Sequence, residues 1–172
     1  MAHFPYLIIG GGMTGAAAAT GIRELDDAGA IGLISAESEP PYDRPPLSKK
    51  LWDGKRTVEQ TFISLPDGVH PFLGQRVVAL DADARRVTTD QDESHSYGRL
   101  LLATGGQPRR LPFGGDAVNY YRTLEDYRAL RADTERGASF VVIGGGFIGS
   151  EVAASLRKQG NEVTLVFPEM GI

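Results

Sequence analysis

The sequence predicts an α/β chain organised on parallel strands, and three observations predict it. A strand, a glycine turn, a helix and a second strand succeed one another between Tyr6 and Glu37. The same succession returns between Phe140 and Glu169. Between the copies, Gly74 to Thr104 falls into short alternating runs. Near-continuous apolar runs that alternate with glycine turns and helical stretches are the pattern of strands buried on both faces of a parallel sheet.

In the first copy the apolar run Tyr6-Leu7-Ile8-Ile9 feeds into Gly10-Gly11-Gly12-Met13-Thr14-Gly15, then an alanine-rich helix from Ala16 to Arg23, then a strand that ends Leu33-Ile34-Ser35-Ala36-Glu37. Read as G-x-G-x-x-G, each glycine has a task. Gly10 makes the tight turn, Gly12 lets the backbone approach a pyrophosphate, and Gly15 lets helix and strand pack closely. The unpaired amides and the positive end of the helix dipole would then face the phosphates. Glu37 follows Gly15 by about 20 residues, the separation expected of an acid that accepts hydrogen bonds from a ribose 2′-hydroxyl.

A single fingerprint of this kind is weak evidence, because glycine turns between strand and helix also serve packing. Here it recurs as Phe140-Val141-Val142-Ile143 followed by Gly144-Gly145-Gly146-Phe147-Ile148-Gly149. The offset that relates the glycines also carries Ala19 onto Ala153, Ile22 onto Leu156 and Arg23 onto Arg157. Both copies end on a glutamate, Glu37 in the first and Glu169 in the second. A carboxylate there repels a 2′-phosphate, so Glu169 implies NADH over NADPH.

The chain has 172 residues, a net charge of −4 and a hydrophobic fraction of 41%, which is a globular composition. No Lys/Arg block is long enough to act as a phosphate stripe, and nothing argues for nucleic acid. There is no cysteine, which excludes a redox-active cysteine pair or a thiolate metal site within these residues. No apolar run is long enough for a membrane span, and a cytoplasmic location is the default expectation.

After the first copy, four prolines between Glu37 and Lys50 set an extended loop that enters a helix near Leu47. Such a rigid loop can hold a cation steadily. The runs Arg76 to Leu80, Arg86 to Thr89 and Leu100 to Thr104 read as strands, broken by Asp81-Ala82-Asp83 and by a polar turn from Asp90 to Gly98. They should form an antiparallel meander that returns to the parallel sheet through Leu100 to Ala103. Thr123 to Arg136 reads as a polar helix with a capping residue at its start and with Leu124 and Leu130 inward. Trp52, His3, His70 and His95 read as packing or surface residues.

The string PYDRPPLSKKLW, from Pro41 to Trp52, resembles the flavin-dependent ferredoxin, rubredoxin and putidaredoxin reductases and their relative apoptosis-inducing factor, within the FAD-dependent pyridine nucleotide-disulfide oxidoreductase superfamily. LLLATGGQPRRLP, GGGFIGSE and VTLVFPE match the same family in family order. The resemblance implies an α/β chain with the N-terminal part of a Rossmann-like FAD-binding domain of ββα type over residues 1–112, carrying the meander as an insertion. A connecting helix and linker follow over 113–138, and the first βαβ of a Rossmann-like NAD(H)-binding domain over 139–172. A single strand after the second fingerprint makes that domain incomplete as written, so the chain is expected to be a piece of a longer protein, inactive alone.

The resemblance further implies cofactors and residues. FAD would be held by Gly10, Gly12, Thr14, Gly15, Glu37, Arg44, Lys49, Val77, Ala103, Thr104, Gly105 and Arg109; NAD(H) by Gly144, Gly146, Phe147, Ile148, Gly149, Glu151 and Glu169. Lys49, on the proline loop, and Glu151, expected in the first turn of the second helix, would form a catalytic ion pair beside the flavin, where a cation favours the reduced, anionic ring. By residue type alone Lys50 is the equal of Lys49, and Glu151 could simply be a carboxylate at a helix N-terminus. The implied activity is electron transfer from NADH through FAD to an iron-sulfur carrier of ferredoxin or rubredoxin type, with homodimer formation left open. The alternative is an apoptosis-inducing-factor-like protein with low turnover and a redox-switched conformation, a branch that VTLVFPE resembles more closely.

Overall fold

The computed structural model describes residues 2–168, and Glu169 lies outside the described residues. The chain divides into two compact units. The first joins Met1–Asp43 to Phe62–Gly106, and the second joins Arg44–Thr61 to Gln107–Ile172. This differs from a linear division at residue 112, because the proline-loop segment packs with the later part of the chain, for reasons given by its own contacts below.

The first unit is a six-stranded sheet ordered β3-β2-β1-β6-β5-β4. Its strands are β1 (Ala2–Ile9), β2 (Ile31–Ser35), β3 (Val69–Leu73), β4 (Val77–Asp81), β5 (Arg86–Thr89) and β6 (Ser94–Leu102). β3, β2, β1 and β6 run parallel, while β5 and β4 pair antiparallel onto β6. The meander therefore rejoins the parallel sheet through Leu100, Leu101 and Leu102, paired with Leu7, Ile8 and Ile9.

Alternation along β1 decides the two faces. Ile8 packs with Ala19 and Ile31 beneath helix α1 (Met13–Leu25), while Leu7 and Ile9 pack on the other side with Phe4, Ile34, Val87 and Tyr97. With apolar groups needed on both sides, β2 is buried at all five positions. Gly32 sits there because a Cβ would lie 2.8 Å from the Leu7 side chain and 2.9 Å from the Phe4 ring.

Two features differ from the sequence expectation. The polar turn spans less than Asp90 to Gly98, since β6 starts at Ser94 and residues 94–96 pair with β5. Gly98 is within this strand for contact, a Cβ there falling 2.8 Å from the Pro5 carbonyl oxygen. β3 has no counterpart among the expected strands, because Pro71 interrupts its pattern; as an edge strand it tolerates the missing N–H.

The second unit contains α2 (Leu124–Glu135), β7 (Phe140–Ile143), α3 (Phe147–Lys158) and β8 (Val163–Val166). β7 and β8 form a parallel pair in the register Phe140 to Val163 through Ile143 to Val166. α2 starts on a full capping box between Thr123 and Asp126, and Leu124 and Leu130 are buried as expected. The proline segment, with a short 3-10 turn over Pro45–Ser48, is fastened within this unit. Trp52, 3% exposed, donates its indole N–H to the Leu47 carbonyl at 2.8 Å and meets the Tyr127 ring edge-on. The Tyr121 hydroxyl donates to the same Leu47 carbonyl at 2.5 Å, and the Tyr127 hydroxyl to the Leu51 carbonyl at 3.2 Å. Burial pushes the Tyr121 hydroxyl far above the ordinary tyrosine range, so it stays a donor at any physiological pH.

His95 gives the first unit an acid-sensitive point. Its ring is packed against Phe72 and Phe4, and neither ring nitrogen makes a hydrogen bond among the described residues. Burial lowers its pKa; the Glu93 carboxylate, 3.7 Å from Nε2, pulls the other way less strongly. The unfolded chain thus binds the proton at a higher pH than the folded chain does. Stability is full above the unfolded pKa of about 6.5 and falls as the pH drops from there toward the folded pKa. His95→Phe is expected to flatten the urea-unfolding midpoint between about pH 5 and 6.5; an unchanged slope would remove His95 from the acid response.

Candidate functional site

Both fingerprint turns have one geometry. Gly10 and Gly144 stand at φ of 119° and 120°, a region that L side chains rarely occupy. The last glycine of each turn is barred from carrying a side chain by backbone. A Cβ on Gly15 would lie 2.0 Å from the Gly10 carbonyl oxygen, and one on Gly149 would lie 2.0 Å from that of Gly144. The amides of Gly10 and Gly144 donate to Ile34 and Val166, both at 2.8 Å. The turn is thus folded tightly over the end of its second strand in both units.

The helices that follow are left open at their N-termini. Gly12 is the N-cap of α1 and Gly146 of α3; neither has a side-chain cap or an acid in the first turn. α2, by contrast, is closed by Thr123 and Asp126. Uncapped amides at a helix start need a partner, and an anion is the partner their partial positive charge favours. Bare glycine turns of this shape, repeated in both units, define a class of protein that binds dinucleotide phosphates through backbone amides.

The family follows from comparison with known proteins. A family model described as pyridine nucleotide-disulphide oxidoreductase matches residues 4–169, and the chain belongs to this family. The ferredoxin reductase subunit of 5,5′-dehydrodivanillate O-demethylase from a Sphingobium species is 41% identical over 96% of the chain and 42% of that protein. Putidaredoxin reductase of Pseudomonas putida is 37% identical over 93% of the chain and 40% of that protein. A crystal structure of a covalent putidaredoxin reductase–putidaredoxin complex matches with a TM-score of 0.84 and 36% identity, over 96% of the chain and 42% of that chain. The chain therefore spans about two fifths of the length of the relatives it matches.

Each expected residue has a definite place. In the first unit Gly10, Ala103 and Thr104 converge, because a Cβ on Gly10 would lie 2.1 Å from the Ala103 carbonyl oxygen and 3.1 Å from the Thr104 nitrogen. Thr14 is exposed on the first turn of α1, Gly105 is exposed with φ at 69°, and Val77 is half-buried against the core. Glu37 sits past the end of β2, where the buried Tyr42 hydroxyl donates to its Oε2 at 2.5 Å. Tyr42 was not among the residues the sequence singled out; its position in the proline loop was the only available signal.

In the second unit Phe147 is 91% exposed and Ile148 is exposed beside it, both on the open first turn of α3. Arg109 is exposed, and Arg44 donates to the Arg122 carbonyl at 3.1 Å. Lys49 Nζ lies 3.2 Å from Glu151 Oε1, which distinguishes it from Lys50. Glu151 is not in the first turn of α3 as expected, because the helix already begins at Phe147 and takes in Gly149. The helix terminus therefore does not hold this carboxylate. Ser48 does, through a hydroxyl that donates to Glu151 Oε2 at 2.6 Å.

Gly10→Ala is expected to destabilise the fold by more than the about 1–3 kcal/mol of an unfavourable backbone conformation, and to lower the melting temperature accordingly, since the added carbon also meets the Ala103 carbonyl. A melting curve matching the parent would mean the turn does not approach Ala103 this closely.

Proposed function

We propose that the chain is part of an NADH-dependent flavoprotein reductase that passes electrons to a small iron-sulfur protein. The observation that carries the reading is the pair of matching glycine turns, each leading to a helix with bare amides. The cradle fits the proposed cofactors in its chemistry: backbone keeps Gly15 and Gly149 bare so that each turn closes tightly, the space a Cβ would take at Gly146 is open, and the amides offer donors without a fixed cation. The relatives' names, ferredoxin and putidaredoxin reductases, supply the acceptor class.

In this reading residues 1–112 hold FAD, 113–138 connect, and 139–172 begin the NAD(H) domain. Gly10, Gly12, Thr14 and Gly15 take the FAD pyrophosphate on amides and hydroxyl. Glu37, held by Tyr42, accepts from the ribose hydroxyls. Arg44, Val77, Ala103, Thr104, Gly105 and Arg109 complete the FAD site. Gly144, Gly146 and Gly149 with Phe147 and Ile148 receive the second dinucleotide, and Glu169 selects the unphosphorylated ribose. FAD held there would supply hydride acceptance from NADH and one-electron transfer to the carrier. Lys49 presents a positive charge that favours negative charge developing on the flavin, and Glu151 holds the lysine in place. No cysteine pair is available in these residues to relay electrons to a disulfide. No described helix is long and apolar enough to cross a membrane; a cytoplasmic site of action completes the proposal.

The full-length protein is expected to purify yellow, to bleach with NADH faster than with NADPH, and to turn over only when a ferredoxin or rubredoxin is added. Lys49→Met should slow flavin reduction about tenfold or more, the worth of one preorganised charge. A colourless protein, or a slow bleach to a long-lived coloured complex regardless of carrier, would overturn the reductase reading.

A further inference from the structure

The Lys49 to Glu151 pair is too loose to position itself. The side chains are 54% and 30% exposed. Ion pairs this open to solvent contribute little and leave both chains free to rearrange. What surrounds the pair is better ordered. Ser48 is 7% exposed and ends the 3-10 turn, with both its hydroxyl and its carbonyl engaged on α3. The hydroxyl donates to Glu151 Oε2 at 2.6 Å, and the carbonyl accepts from the buried Ser155 hydroxyl at 3.1 Å. One helical step further, Gln159 donates to the Trp52 carbonyl at 2.8 Å. Glu151, Ser155 and Gln159 are spaced by four along α3, so they lie on one face and form a polar seam with the segment that carries Lys49.

The division of labour at the carboxylate is then clear. One oxygen is taken by a buried hydroxyl at short, charge-assisted distance, and the other is turned toward Lys49. A carboxylate held at one oxygen by a rigid donor has its terminal torsion set before the lysine arrives. We propose that Ser48 is a positioning residue for the redox site: it orients Glu151, and through Glu151 it fixes where the Lys49 ammonium stands. The inference rests on the reading of Lys49 as the charge that faces the flavin, and the experiment separates the two.

Ser48→Ala and Ser48→Thr are compared in the native and Lys49→Met backgrounds of the full-length holoprotein. Ser48→Ala is expected to slow flavin reduction at saturating NADH about tenfold, the effect of one lost bond to a charged group, with the KM for NADH changed less than about twofold. It should move the flavin midpoint potential in the direction that Lys49→Met moves it. Ser48→Thr, which retains the hydroxyl, should restore both. In the Lys49→Met background Ser48→Ala should add nothing, because the residue it acts through is gone.

A second readout needs no cofactor. In the FAD-free protein, reductive methylation of Lys49 followed by peptide mass analysis should be faster in Ser48→Ala than in the parent. Ser155→Ala, which removes the bond to the Ser48 carbonyl and leaves the Ser48 hydroxyl, should leave that rate unchanged while lowering the melting temperature. Equal effects of Ser48→Ala in both backgrounds, or a lowered melting temperature with the potential and the Lys49 methylation rate unmoved, would reduce Ser48 to a structural bond and overturn the proposal. If the parent protein binds no FAD, the redox reading fails, and the methylation comparison still decides whether Ser48 positions Lys49.

Discussion

The constraint on which the first unit depends is the close approach of three backbone segments at Gly10. The turn is squeezed between the third residue of α1 and the chain just past β6, so carbonyl oxygens occupy the two places where Cβ atoms would otherwise be. This packing brings the start of α1 over the carboxyl ends of β1 and β2, with β6 beside them in parallel register. The glycines of the turn offer only main chain there, with the exposed Thr14 hydroxyl beside them. The direction of this main chain is set by the pairing of β1 with β2 and β6.

The second unit repeats the turn and adds a different device. Its proline segment is held by Trp52, Tyr121 and Tyr127 at one side and by the polar face of α3 at the other. Prolines restrict the unfolded segment before these contacts form, which lowers the entropy lost in ordering it. The result is a short 3-10 turn whose last residue and its successor, Ser48 and Lys49, meet the same carboxylate. The segment is thereby fastened by hydrogen bonds on both sides.

Most of the fold was legible because its signals are local and repeated. The glycine spacing marked both turns, apolar runs marked β1, β2, β7 and β8, and Thr123 marked the start of α2. The misreadings have specific causes. Ser94 to Gly98 reads as a turn by composition, yet it is a strand because its backbone has partners on β1 and β5, and Gly98 is required by the nearby Pro5 carbonyl. β3 was hidden by a proline that only an edge strand accepts. The candidate site was legible in its glycines and in the resemblance that singled out Lys49 and Glu151, but Ser48 and Tyr42 carry no motif of their own.

By itself the sequence determined the duplicated turn and the absence of cysteine chemistry, since each depends on residue type and spacing along one stretch of chain. Tertiary structure decided which of two adjacent lysines meets Glu151, which hydroxyl holds that carboxylate, and which segments form each unit. Those outcomes depend on distances between residues far apart in the chain. Lys49 and Lys50 have the same chemistry and differ only in the direction in which the 3-10 turn releases them, and that direction exists only once Trp52 and α3 have closed on the segment.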